Sequence, residues 1–192
     1  MPLEKRSPST LAGVLAIAAV FVLAAYIVVV PDAWHRATNL FYYANQGYQP
    51  AQPLDYNHHL HAGIRKIPCL YCHAGIDRGA KGVVPSLSVC MNCHLAIPTK
   101  DRPKLQQLVS WYKTGTPVEW TKVHDLPDFV RFNHRQHLAA GVVCQTCHGP
   151  IQDMNVVQQW APLTMGWCVN CHRDSTATGR HNAPTTCQTC HY

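Results

Sequence analysis

At 192 residues, with 16 Lys or Arg against 10 Asp or Glu, the chain has a formal net charge of +6, and 14 prolines, 11 glycines and few strand-like alternations leave poor material for a β-rich fold or an ordinary side-chain core. Ten cysteines in an exported chain would normally form a disulfide framework, but each of them falls in a Cys-x-x-Cys-His motif, which excludes that framework. The basic excess alone would suit an acidic partner or nucleic acid, and its meaning depends on what those cysteines bind.

The first predicted element is residues 11–30, twenty positions without a charge. As a helix at ~1.5 Å per residue it is long enough for a hydrocarbon core of about 30 Å. Lys5 and Arg6 precede it, and Ala24 and Ala25 could serve a cleavage site. A signal-peptide core is usually only about 7–15 residues, however, and Pro31-Asp32-Ala33-Trp34 offers no clear small-x-small site. The expectation is an uncleaved signal anchor: residues 1–10 a cytoplasmic stub, 11–30 transmembrane, and the bulk of the chain on the periplasmic side of a bacterial inner membrane. Lys5 and Arg6 favour the cytoplasm, while Asp32 and Arg36 balance on the other flank. Residues 31–57, with Trp34, Phe41, Tyr42, Tyr43, Tyr48, Pro50 and Pro53, are expected to be an interfacial linker. There His35 reads as an interfacial polar residue rather than a quinol or proton contact.

Residues 58–192 are expected to form one periplasmic domain. It contains Cys69, Cys72 and His73; Cys90, Cys93 and His94; Cys144, Cys147 and His148; Cys168, Cys171 and His172; and Cys187, Cys190 and His191. Two thiols three apart reach the two vinyl groups of one porphyrin as thioethers, and the following His turns under the ring to ligate its iron. One such motif could be a redox dithiol or half a zinc site. Five, with no cysteine left over, predict five covalently bound c-type haems, with the five motif histidines as proximal ligands.

The same region contains a duplication. Tyr56-Asn57-His58-His59-Leu60-His61 is followed eight residues later by Cys69, and Phe132-Asn133-His134-Arg135-Gln136-His137 seven residues later by Cys144. Each block then reaches a second motif, across residues 74–89 in one and 149–167 in the other. Two dihaem modules, 58–94 and 134–172, therefore stand in tandem with a fifth haem at 187–191. A low-spin iron needs a strong sixth ligand, and each His-x-x-His offers two imidazoles on one helical face, so His58, His61, His134 and His137 are the expected distal ligands. His59 matches Arg135 and is not expected to be one. For the remaining iron the candidates are His124, placed first, then His181 in a solvated loop, and Met165 or an open site.

Outside the motifs, Leu105, Leu108, Val109 and Tyr112 after Pro103 predict one amphipathic helix. With the cofactors supplying most of the apolar core, the expected fold is mostly α with much irregular chain, a compact multihaem cytochrome c behind one N-terminal transmembrane helix. Counting about two propionates and one ferric charge per haem brings the net charge to about +1 oxidised and about −4 reduced, so the basic balance does not speak for nucleic acid. No residue set looks like a substrate site, which points to electron transfer rather than catalysis.

The signal anchor, the two aromatic-Asn-His-x-x-His blocks, the five motifs, the stretch from Val123 and His124 through Phe129, and that from Leu163 and Met165 through Arg173 together resemble the pentahaem cytochrome subunit of bacterial alternative complex III, a quinol:electron-acceptor oxidoreductase. The resemblance covers almost the whole chain. It implies a relay of electrons from quinol oxidation to a periplasmic or oxidase acceptor, a soluble cytochrome c or a copper protein among them. It also implies partners in one complex: an integral membrane quinol-binding subunit, an iron–sulfur subunit and a monohaem cytochrome. The aromatic-Asn-His-x-x-His element is also similar to that of small c3/c7-type cytochromes. The alternatives are a stand-alone membrane-anchored quinol dehydrogenase, from whose tetrahaem pattern the fifth motif and the duplicated pairs depart, and an electron-transfer subunit of another respiratory reductase.

Overall fold

The computed structural model describes residues 8–29, 45–179 and 182–192. His35 and His181 and the flanking charges Lys5, Arg6, Asp32 and Arg36 lie outside them. The chain divides into two compact units, Met1–Tyr42 and Tyr43–Tyr192.

The first unit contains helix α1, Pro8–Val29. Proline suits a first helical turn because no N–H partner is required there, and the run that follows is apolar on every face, with no polar stripe. Side chains 12–26 are all exposed. Among the described residues no helix is long and apolar enough to cross a membrane. The stretch with described side chains would cover ~22 Å at 1.5 Å per residue, against a hydrocarbon core of about 30 Å.

The second unit is a chain of short helices. A π-helical turn (His59–Ile64) is followed by α2 (Cys69–Cys72), α3 (Leu87–His94), α4 (Pro103–Thr114), α5 (His134–Ala139) and α6 (Gln145–His148). A 3₁₀ turn (Ile151–Asp153), α7 (Met165–Ala177) and α8 (Cys187–Cys190) complete it. The motifs determine this pattern. Positions i and i+3 share a face only when the chain makes a helical turn, and extended residues Pro68, Ser86, Thr164 and Thr186 begin four of those turns. Among the described residues the only β pairing is an isolated antiparallel bridge between Val130 and His191.

Helix α4 follows its predicted logic. Pro103 opens it, and Gly115 closes it at φ +69°, with Thr116 N–H donating to Trp111 O at 2.9 Å and Gly115 N–H to Tyr112 O at 3.3 Å, a Schellman cap. Leu108 on its inner face joins Leu54 and Met91 in a small core, with Leu105, Val109, Trp111, Val118, Trp120, Leu87 and Cys90 around it. Tyr112, placed by periodicity on the apolar face, is exposed. Trp111, one turn beyond Leu108, packs in its stead. Together with Ala161 this is all the buried hydrophobic side chain among the described residues, far too little to hold a unit of this length by itself.

Residues 45–57, expected to be an interfacial linker, are part of this unit. Gln46, Gln49 and Gln52 donate to the carbonyls of Trp160, Val156 and Thr121, each at 2.9 Å, and Leu54 lies in the core. Side-chain amides that reach backbone carbonyls more than sixty positions away bind this strap to the domain.

Candidate haem-binding histidine and cysteine array

The two histidine blocks adopt the same local geometry. In each, an Nδ1–H of the second His donates to the carbonyl of the Asn four residues back: His61 to Asn57 O and His137 to Asn133 O, both at 2.8 Å. The preceding aromatic ring stacks on that same His, Tyr56 on His61 at 4.6 Å and Phe132 on His137 at 4.5 Å. It meets the first His edge-on at 4.8 Å in both blocks. With Nδ1 and one ring face committed, Nε2 is the nitrogen left to ligate a metal.

These rings face motif histidines. His61 lies 6.1 Å from His94, His137 6.0 Å from His172 and His134 6.5 Å from His148, centroid to centroid, the last pair nearly parallel at 11°. Metal–imidazole bonds of about 2 Å on opposite sides of one iron would put ring centroids roughly 6.3 Å apart. The donor set therefore fits c-type haem iron. His58 is pushed down to about 4, first by burial and then by its neighbours His73, His61 and His148. His94 and His148 are lowered too, by burial and then by His61 and by His134 and His73 respectively. Burial thus favours neutral imidazole, the form that ligates metal, at these three rings.

The motif histidines are oriented by different acceptors. His73 Nδ1–H donates to Val83 O at 2.5 Å and His172 Nδ1–H to Pro184 O at 2.6 Å. His148 has another partner: its Nδ1 is 3.2 Å from Nε2 of His124, with the rings edge to face at 4.3 Å. His124, the first candidate for the one iron left without a sixth ligand, thus lies against the histidine of the third motif. Phe129 is the ring stacked on His191, at 5.7 Å. Met165 is highly exposed in the first turn of α7, and His181 lies outside the described residues. The buried Nδ1 atoms of His58, His59 and His94 have no hydrogen-bond partner.

The cysteines place the motifs in order. Burial raises Cys72, Cys90, Cys147 and Cys168, and neighbouring thiols raise them further: Cys93 and Cys69 act on Cys72, Cys72 on Cys90, Cys171 and Cys168 on Cys147, and Cys190 on Cys168. Cys144, raised first by burial, is then raised by Cys69, whose thiol is within hydrogen-bond reach. Neighbouring thiols thus connect the second motif to the first, the first to the third, the third to the fourth and the fourth to the fifth. Direct bonds support this order. Asn92 Nδ2 donates to Tyr71 OH at 3.1 Å, joining the first two motifs, and Arg131 N–H donates to Cys190 O at 2.7 Å, tying the last motif to the strand of chain before α5.

At the centre the modules clasp each other reciprocally. His59 N–H donates to Met154 O at 3.0 Å and Arg135 N–H to Gly79 O at 3.2 Å. His59 and Arg135 are equivalent in the repeat, and Met154 and Gly79 each lie six residues after their motif histidine. Cys69 and Cys144, also equivalent, meet each other, as residues on a local two-fold axis must. Gly63 makes the approach possible, because a Cβ there would strike the carbonyl of Gln152.

Sequence reading missed Gln159, which is fully buried. Its backbone accepts from Gly47 N–H at 2.8 Å and donates to Tyr48 O at 2.9 Å, and its Oε1 accepts from Asp125 N–H at 3.1 Å. It fixes the strap and the His124 loop together. The second of two adjacent glutamines in Val156-Val157-Gln158-Gln159-Trp160 gives no periodic signal that would have identified it.

A family model for cytochrome c7 and related cytochrome c matches residues 130–192, from just before the second histidine block to the last motif. No curated protein matches the chain.

Proposed function

We propose that the chain, whose residues 130–192 match a model for cytochrome c7 and related cytochrome c, is an electron-transfer multihaem cytochrome that holds five covalently bound c-type haems and serves as the electron-relay subunit of a membrane quinol:acceptor oxidoreductase of the alternative complex III kind. The observation that carries the relay is the unbroken spatial succession of motifs, three of whose histidines face a second imidazole at 6.0–6.5 Å. When bound, haem supplies reversible one-electron chemistry at iron. The polypeptide's own part would be to offer imidazoles in pairs, His61 with His94, His134 with His148 and His137 with His172, and to orient His61, His73, His137 and His172 by Nδ1–H donation to backbone carbonyls. Such closed positions suit transfer without bond making.

His58, His61, His134 and His137 are the proposed distal ligands to the irons of His73, His94, His148 and His172, in that order. The apolar segment beginning with α1 is proposed as the membrane anchor, with the second unit on the periplasmic side of a bacterial inner membrane. Partner subunits would hold the quinol site and the iron–sulfur clusters. The groove along α4, lined by Thr99, Gln106, Val109, Ser110, Lys113 and Thr114, contains no motif residue and no converging acid–base pair with which to take a quinol's protons.

Two measurements test this reading. Intact mass of the purified chain is expected to show five covalent haems. Stopped-flow mixing of the isolated holoprotein with a menaquinol analogue in detergent is expected to show no saturable reduction, while small mediators and periplasmic cytochromes exchange electrons rapidly. Fast, inhibitor-sensitive reduction without partners would establish a stand-alone quinol dehydrogenase instead, and co-purification with a different reductase would reassign the machine.

A further inference from the structure

We infer that His124 is a positioning residue for His148, accepting its Nδ1–H at Nε2 and giving the third motif an axial imidazole more electron-donating than its counterpart in the first. This rests on His148 being an iron ligand, as proposed above.

A ring that gives Nε2 to a metal must carry its proton on Nδ1, so across the 3.2 Å contact His148 donates and His124 Nε2 accepts. His134 is a second neighbour of His148, nearly parallel to it at 6.5 Å. His124 meets the same ring edge to face, at 4.3 Å and 69°. His134 is thus the neighbour that would share an iron with His148, and His124 the one within hydrogen-bond distance of its Nδ1. The acceptors at His73 and His172 are peptide carbonyls. An imidazole nitrogen is a far stronger base than a peptide oxygen, so it draws the Nδ1 proton further, makes the ligand more imidazolate-like and favours the ferric iron.

The loop that aims His124 is anchored on both sides. Gln159, with no exposed surface, takes the N–H of Asp125, and the Asp125 carboxylate pairs with Lys122. His124 comes from the segment between the modules, which has no counterpart before the first block. The duplication therefore equates His73 and His148, and this segment makes them unlike: one donates to Val83 O, the other to an imidazole. Two positions related by a local two-fold would otherwise have similar potentials. His124 lowers that of the third motif and biases where an electron rests across the symmetric centre.

The test uses full-length holoprotein with His124→Leu and His124→Gln, haem content first verified by mass. Electron paramagnetic resonance and spectroscopic redox titration follow. His124→Leu is expected to raise one midpoint, move one low-spin signal and leave the others in place, with no high-spin iron that wild type lacks. His124→Gln, whose amide oxygen accepts as Val83 and Pro184 do, is expected to raise the same midpoint by less. If the leucine variant does not fold or load, the glutamine variant decides alone, by an upward shift with low-spin iron. A high-spin iron in either variant that wild type lacks would make His124 an axial ligand, and unchanged or equally shifted midpoints would make the contact mere packing. Both outcomes overturn the inference. Wild-type protein whose Cys144 and Cys147 carry no haem would instead refute the assignment of His148.

Discussion

Gly149 follows His148 with φ +67° and ψ −164°, a combination open in practice only to glycine, and a Cβ there would run into the indole of Trp160. The turn brings His148 out of α6 while Trp160 closes over the backbone. Gly149→Ala is expected to cost about 1–3 kcal/mol in backbone strain alone, more with the clash. It should appear as a lower denaturant midpoint and incomplete haem attachment at Cys144 and Cys147 in the intact mass. The histidines offer a cleaner contrast. His137, bonded to Asn133 O, stacked under Phe132 and 6.0 Å from His172, should turn one low-spin iron high-spin when replaced by Ala. His59→Ala should leave every iron low-spin, as judged by electron paramagnetic resonance.

Among the described residues, helix α4 and the Leu54–Met91–Leu108 cluster form the one patch of ordinary hydrophobic core, and through Met91 and Cys90 it presses on α3 and the second motif. Leu108→Ala is expected to destabilise the domain by about 2–5 kcal/mol by opening a cavity, seen as a lower melting temperature with unchanged spectra of the irons that remain bound. The amphipathic stripe of this helix was legible in the sequence because a period of 3.6 needs no partner to be recognised. Tyr112 and Trp111 exchanged roles because both flank the stripe, and only the position of Trp120 and Val118 across from it selects the inner one. In the histidine blocks, too, element-level repetition carried over into geometry. Tyr56 and Phe132 stack alike, and Asn57 and Asn133 accept alike.

Across the molecule, buried imidazoles make stability depend on pH. His58 and His124 are both held from 6.5 down to about 4 by burial and then by neighbouring histidines. On acidification the unfolded chain takes up these protons first, so folding stability is complete above the unfolded value and is lost as pH falls from about 6.5 toward about 4. Proton competition for iron-facing nitrogens acts in the same direction. The guanidinium midpoint of the holoprotein is expected to be lower at pH ~5 than at pH ~7.5. An equal midpoint at both would mean that neither ring is shielded from water.

What the sequence determined alone is everything written in local spacing. That includes the five Cys-x-x-Cys-His motifs, the apolar run that becomes α1, the α4 stripe, and the duplication that pairs Tyr56-Asn57-His58 with Phe132-Asn133-His134. Each is a contact or periodicity within a few residues, where the covalent chain itself brings the groups together. Which ring faces which motif, the spatial order of the motifs, the reciprocal bonds of His59 and Arg135, the capture of residues 45–57 by the domain and the turn of His124 toward His148 were decided only by tertiary structure. These join segments tens of residues apart, through single hydrogen bonds and a buried Gln159. Such pairings follow from packing around shared groups and not from any repeat in the chain, so no local pattern records them.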